Sequence, residues 1–181
     1  MRATGPPGGT EADREGVSLL VVDAWSPGVV MTTLRTIDSL RAANVTFNNV
    51  EVGLEALLGP VGGGLPALEE AVDFATALVC AEALGAIKYA NDATLEYLKT
   101  RRQFGVPIGS FQVLQHRMVD MFIGYEQVKS LVYLACTKID STSDPEERKR
   151  IVSAAKIRTA EACRQVSQDA VQLHGDVGSM F

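Results

Sequence analysis

Hydrophobic and polar positions change rhythm near Gly62. Before it, short β-branched runs alternate with turn residues; after it, apolar residues recur every three or four positions. Residues 17–24 form an apolar run of strand length, closed by Pro27-Gly28. Residues 29–36 predict a second strand. Residues 43–52 predict a third, with Val45, Phe47 and Val50 inward and a turn or bulge at Asn48-Asn49. Gly62-Gly63-Gly64 lacks the lysine of a phosphate-binding loop and reads as a hinge.

Three long helices are predicted after the hinge. The first starts at Pro66, which suits a first helical turn, and runs to Arg101. Its apolar stripe would be Leu68, Val72, Ala75, Val79, Leu84, Ile87 and Ala90. Residues 105–109, Gly-Val-Pro-Ile-Gly, break it. Ser110 is read as the N-cap of the second helix. The buried stripe there is Leu114, Met118, Met121, Tyr125, Val128, Val132 and Ala135, and the helix ends near residues 140–143. Asp144-Pro145-Glu146-Glu147 opens the third: Asp144 caps, Pro145 takes N1 and Glu147 reaches back to complete a box. That helix carries Ile151, Ala154, Ala155, Ile157, Ala160 and Val166 to about His174, with Gly175 as its C-terminal cap.

The fold class expected is α+β, mainly α. A partial β-sheet or half-barrel (1–61) is followed by three long helices of an incomplete up-down four-helix bundle (62–181). Three strands are near the minimum for independent stability, and three helices leave a bundle open. Both parts therefore call for a further packing partner, and self-association is expected.

Composition narrows the function classes. The 181 residues are 46% hydrophobic with mean hydropathy +0.09, too apolar for a disordered chain. A net charge of −5 argues against nucleic-acid or anionic-membrane binding. Three scattered cysteines and two histidines fit neither a disulfide framework nor a zinc set. Residues 1–16 have no apolar signal region, and the most apolar window, 74–87, is interrupted by Glu82 and too short to span a bilayer. These features point to a reduced, cytoplasmic protein.

Among the helix carboxylates Asp73, Glu82, Glu96, Asp120 and Glu126, no close acid/base couple stands out, and solvated helix faces account for them. His116 reads as an ordinary helix residue. Arg101-Arg102-Gln103-Phe104-Gly105 is different. Cations suit a helix C-terminus. An arginine pair beside a glycine reversal can also grip phosphate, with Phe104 free to stack on a flat ring.

Residues 97–121, with Tyr97, Arg101, Gln103-Phe104-Gly105, Pro107-Ile108, Phe111-Gln112 and His116 through Asp120-Met121, resemble the signature of the acyl-CoA dehydrogenase flavoprotein family. Residues 169–175, Asp-Ala-Val-Gln-Leu-His-Gly, resemble its second signature, and residues 17–58 resemble the second half of its middle β domain. The resemblance implies a homo-oligomer, dimer or tetramer, with FAD at a subunit interface. It implies α,β-dehydrogenation of an acyl-CoA thioester, a carboxylate taking the α-proton, and a place in fatty-acid metabolism. By the same resemblance Arg101 would hold the FAD pyrophosphate of a neighbouring subunit, with Gln103 and Phe104 against the cofactor. Gln112, Gln172 and Gly175 would line its adenosine end, and Asp73 would contact the acyl-CoA.

The departures are specific. Asp176 stands where the family usually has a second glycine. Thr76 replaces the arginine of the family's Asp-x-x-Arg, and Ala75 stands where some members place a catalytic glutamate. The resemblance also implies that the family's first helical domain, the first half of its β domain and its last helices are not among these residues. The chain is accordingly expected to lack a catalytic base and to be inactive alone, or to serve as a non-catalytic subunit in a mixed tetramer with a related partner.

Overall fold

In the computed structural model, residues 15–175 are described. Asp176 and residues 1–14 of the N-terminal stretch considered above lie outside them. The chain divides into two compact units, Met1–Glu69 and Glu70–Phe181.

The first unit is built from two separate two-stranded antiparallel sheets. Strand β2 (Val29–Arg35) pairs with β3 (Arg41–Phe47) in one register, Val29 opposite Phe47 and Arg35 opposite Arg41. The first predicted strand shrinks to β1 (Leu19–Leu20), paired with β4 (Leu57–Leu58). Its apolar run is too short of partners to extend further: Val21 is bonded to Ala56 and the chain then turns at Asp23. The third strand begins two residues earlier than predicted and stops at Phe47, because Asn49 adopts φ +50° in the turn that follows. Val45 is exposed rather than inward, whereas Phe47 and Val50 are half-buried.

The glycine run is not a free hinge. Gly62 N–H donates to Ser18 Oγ at 2.8 Å, and Gly64 N–H to the Val17 carbonyl at 2.8 Å. A Cβ on Gly64 would lie 2.7 Å from Leu19 Cγ, so the residue is small because β1 passes against it.

The helices are α1 (Leu65–Thr100), α2 (Gln112–Ser141) and α3 (Pro145–Leu173). All seven residues of the α2 stripe are buried or half-buried, as their spacing predicts. The first six meet Cys80, Ile87 and Leu98 from α1 and Ala162, Val166 and Leu173 from α3 in the main core. A smaller cluster, Ala77, Ala135, Val152 and Ala155, fills the end where α2 finishes and α3 begins. Each fully buried Val or Leu contributes about 1.5–3 kcal/mol of transfer free energy.

The stripes of α1 and α3 hold in part: Leu84, Ile87 and Ala90 on α1 and Ile151, Ala155 and Val166 on α3 are buried or half-buried, whereas Ala75, Ala154 and Ala160 are exposed. Leu68, Val72 and Val79 are exposed, whereas Asp73, Ala77, Cys80, Asn91 and Thr94 face inward. Ile157 is exposed and Thr159 is buried on α3. Apolar residues occupy two faces of α1, and hydropathy alone cannot tell which face the other helices cover. Ser110 does not cap α2: it closes a short 3₁₀ turn, Ile108–Ser110, and its hydroxyl donates to the Pro107 carbonyl at 2.7 Å. Phe111 is the residue at the N-cap position instead. Asp144 caps α3 as expected, its Oδ1 accepting from Glu146 N–H at 3.0 Å. Glu147 does not complete the box. It accepts from Lys138 Nζ at 2.8 Å and from Thr142 Oγ1 at 2.7 Å, tying α3 back to α2.

Candidate functional site

Two aromatic rings show how the helices run. Tyr97, near the end of α1, stacks on His174, just past the end of α3, with ring centroids 4.3 Å apart. Tyr97 Oη also donates to the His174 carbonyl at 3.3 Å. The C-terminal ends of α1 and α3 therefore lie together. The N-terminal part of α2 joins them, because Arg117 Nη1 meets Asp169 Oδ1 at 3.1 Å.

The segment between α1 and α2 is a small hairpin. Strands β5 (Arg102–Gln103) and β6 (Val106–Pro107) pair across the two-residue turn Phe104-Gly105. Both turn residues have positive φ, +53° and +83°, the pattern of a type I′ turn. Gly105 takes this shape freely. Phe104 does so against the cost of its Cβ, and its ring is 91% exposed, touching Phe111 edge-on at 6.2 Å. Arg102 Nη2 donates to the Gly105 carbonyl at 3.1 Å and steadies the turn.

The structure thus collects Arg101, Gln103, Phe104, Gln112, Gln172 and Gly175 at one end of the helical unit. The side chains of Arg101, Gln103, Gln112 and Gln172 are all exposed and make no hydrogen bond to another described residue. Gly175 closes α3 in the left-handed conformation, φ +76°, its N–H donating to the Gln172 carbonyl at 3.1 Å. An unpartnered guanidinium, three free amides and an open aromatic face suit a ligand with a phosphate and a flat ring. An FAD pyrophosphate and adenine fit that set.

Asp73 is elsewhere. It lies 28 residues earlier on α1, about 40 Å along the helix axis from Arg101. Its Oδ2 accepts from Arg148 Nε at 3.0 Å in a nearly buried pair. Sequence reasoning missed Arg148 because charged residues open most helices without being buried. It also assigned no contact to Tyr97 or to the His174 ring, although both stand in the quoted motifs. His174 Nδ1 lies 2.8 Å from the Ala170 carbonyl, which accepts only, so Nδ1 carries the proton. His116 is exposed, in keeping with an ordinary helix residue.

Among the described residues there is no group of three His, Cys, Asp or Glu able to hold a metal, and no helix is long and apolar enough to cross a membrane. Cys80, Cys136 and Cys163 are free thiols, and burial, followed by the proximity of Cys80, raises the pKa of Cys163.

Comparison with known proteins agrees with the fold. The family described as acyl-CoA dehydrogenase, C-terminal domain, matches residues 62–180. The caffeyl-CoA reductase-Etf complex subunit CarC of Acetobacterium woodii is 30% identical over 166 residues, 90% of this chain and 43% of that protein. The butyryl-CoA dehydrogenase of Megasphaera elsdenii superposes with a TM-score of 0.83 at 26% identity, over 94% of this chain and 45% of its own. The FAD complex of PigA superposes with a TM-score of 0.85 at 25% identity, over 96% and 45%. The chain spans under half the length of each of these proteins.

Proposed function

The chain belongs to the acyl-CoA dehydrogenase family, and on that premise we propose that its helical unit supplies the pyrophosphate-and-adenosine edge of an FAD site completed by a second subunit. The observation that carries this reading is the set at the Tyr97–His174 end whose side chains have no partner among the described residues. Arg101 holds the pyrophosphate. Gln103 and Phe104 meet the cofactor beside it, and Gln112, Gln172 and Gly175 line the adenosine end. FAD, when bound, accepts the hydride in the α,β-dehydrogenation of an acyl-CoA. This chain's own residues bind and orient the cofactor, and Ala75 and Thr76 offer no base or cation to the substrate.

The isolated chain is therefore read as inactive. Its partner is a second copy or a related dehydrogenase subunit, in a dimer or a tetramer. A purely non-catalytic role in a mixed tetramer is the second reading, favoured by Arg101 and Gln172 standing beside Ala75 and Thr76. Residues 1–61 are read as part of the family's middle domain and residues 62–181 as its helical domain. The free thiols accord with a reducing, cytoplasmic setting. Arg148 engages the carboxylate of Asp73, so we assign Asp73 to holding α1 against α3 rather than to the acyl-CoA.

The test is flavin retention. The chain is purified alone and co-expressed with a full-length dehydrogenase, and bound FAD is read by absorbance. Arg101→Ala should lower retention about tenfold, the loss of one charge-assisted contact. Retention unchanged by that substitution overturns the cofactor assignment, and bleaching of flavin by acyl-CoA with the isolated chain overturns its inactivity.

A further inference from the structure

A cavity of about 680 Å³ opens between the C-terminal part of α1, the β5–β6 hairpin and the first part of α2. None of the residues proposed for the flavin edge lines it. Its apolar walls are Leu95 and Leu98 from α1, Pro107 from β6, and Met118, Val119 and Phe122 from α2. Three of these stay open to solvent, Leu95 at 40%, Val119 at 52% and Phe122 at 55%. The volume falls in the range of about 300–1,000 Å³ that small-molecule sites take.

The walls are held in place by the chain's own hydrogen bonds. Ile108 N–H donates to the Arg101 carbonyl at 2.8 Å, which ties the hairpin to the end of α1. Gly109 packs so closely there that a Cβ would lie 2.9 Å from the Leu98 carbonyl oxygen. Gln115 Nε2 donates to the Gly109 carbonyl at 2.8 Å, which ties the hairpin to α2. The Ser110 hydroxyl donates to the Pro107 carbonyl at 2.7 Å. A cavity built in this way spares a ligand the cost of ordering its walls.

Lys99 is the lining side chain that these bonds do not use. It is exposed and has no ion pair or hydrogen bond among the described residues. Its place in the last turn of α1 suits a cation, yet no Asp or Glu lines the cavity to answer it. One positive charge beside apolar walls selects one negative charge. A phosphate ester or a nucleotide would bring surplus charge and many polar atoms against Leu, Met, Val and Phe, which offer them no partner. A monocarboxylate with an aliphatic tail brings neither, and the unbranched Met118 side chain adapts to the shape of such a tail.

We propose that this cavity binds an aliphatic monocarboxylate, with the carboxylate on Lys99 and the tail against Leu95, Met118, Val119 and Phe122. The ligand is the free acid, with no thioester or nucleotide, and its site is independent of the proposed flavin edge. Binding covers apolar surface that α1 and α2 leave open, and the ion pair fixes which end of the ligand faces Lys99.

The experiment is calorimetric titration of the full chain with decanoate below its micelle concentration, and with decanol and decyl phosphate in parallel. One decanoate should bind per chain. Lys99→Met and Lys99→Gln should each weaken decanoate about tenfold, the loss of one charge-assisted contact, and leave decanol unchanged. Val119→Trp should weaken both ligands, because the larger side chain fills the cavity; melting curves check that each variant keeps its fold. Arg101→Ala should leave decanoate binding as it is, which separates this site from the flavin edge. Decanoate that does not bind, or whose affinity survives both Lys99 substitutions, overturns the proposal. So does binding of several molecules per chain that Val119→Trp does not reduce. Decyl phosphate binding more tightly than decanoate through Lys99 overturns the match to a single charge. A dimer in sedimentation that excludes decanoate assigns the cavity to a second copy of the chain and likewise overturns it.

Discussion

Arg148 Nε donates to Asp73 Oδ2 across 3.0 Å, joining the first turn of α3 to α1 in a place where both side chains are at most 13% exposed. A charge buried there depends on its partner. Asp73→Ala should destabilise the helical unit by about 3–5 kcal/mol, because it strands the guanidinium. Replacing both together, Asp73→Leu with Arg148→Met, should recover most of that loss. Urea unfolding of the two singles and the double measures it, and additive losses would show that the two side chains do not act as a pair.

Phe104 is expected to trade stability for contact with a ligand. Its φ of +53° is a conformation that asparagine tolerates and a bulky residue does not. Phe104→Asn should stabilise the chain by about 1 kcal/mol in denaturant unfolding. The same substitution should reduce FAD retention, since it removes an exposed ring. An unchanged flavin spectrum would separate the turn from the cofactor.

The acid limb of stability should carry the signature of Glu147. The hydrogen bond from Lys138, and next that from Thr142, lower its pKa. A carboxyl with a depressed folded pKa stabilises above its unfolded value of about 4.3, and that contribution fades as pH falls through the folded value. Glu147→Gln should therefore lower the melting temperature near neutral pH, and the gap to the parent chain should close below about pH 4. Melting curves from neutral to acid pH check this; a gap that stays constant assigns the effect to packing.

Gly109 is close-packed rather than specially folded. A Cβ there would sit 2.9 Å from the Leu98 carbonyl oxygen and 3.2 Å from its carbon. Gly109→Ala should cost about 1–3 kcal/mol, since backbone atoms and not a flexible side chain must give way. Thermal unfolding provides the measure, and an unchanged midpoint would mean that the hairpin moves freely off α1.

The α2 stripe could be read from its residues because a single apolar face of that helix meets both neighbours. Met121, Val128 and Ala135 mark it at seven-residue steps, although Val119, Phe122, Ile123 and Leu134 on the same helix are apolar and exposed. On α1, Val72 and Val79 compete with Ala77 and Cys80, and the polar Asn91 and Thr94 go inside. A hydropathy pattern ranks the larger residues first and so selects the uncovered side. The residues proposed for a flavin edge stand out because their order along the chain resembles a family signature. What joins them, the stack of Tyr97 on His174, depends on residues 77 positions apart and leaves no local trace.

That separation has a kinetic consequence. Contacts between distant positions close only after the entropy of the intervening chain has been spent. Closing the Tyr97–His174 stack therefore spends the entropy of nearly the whole helical unit. A chain whose helices have formed but not packed has the arginine and the glycine but lacks the Tyr97–His174 contact that draws the ends of α1 and α3 together.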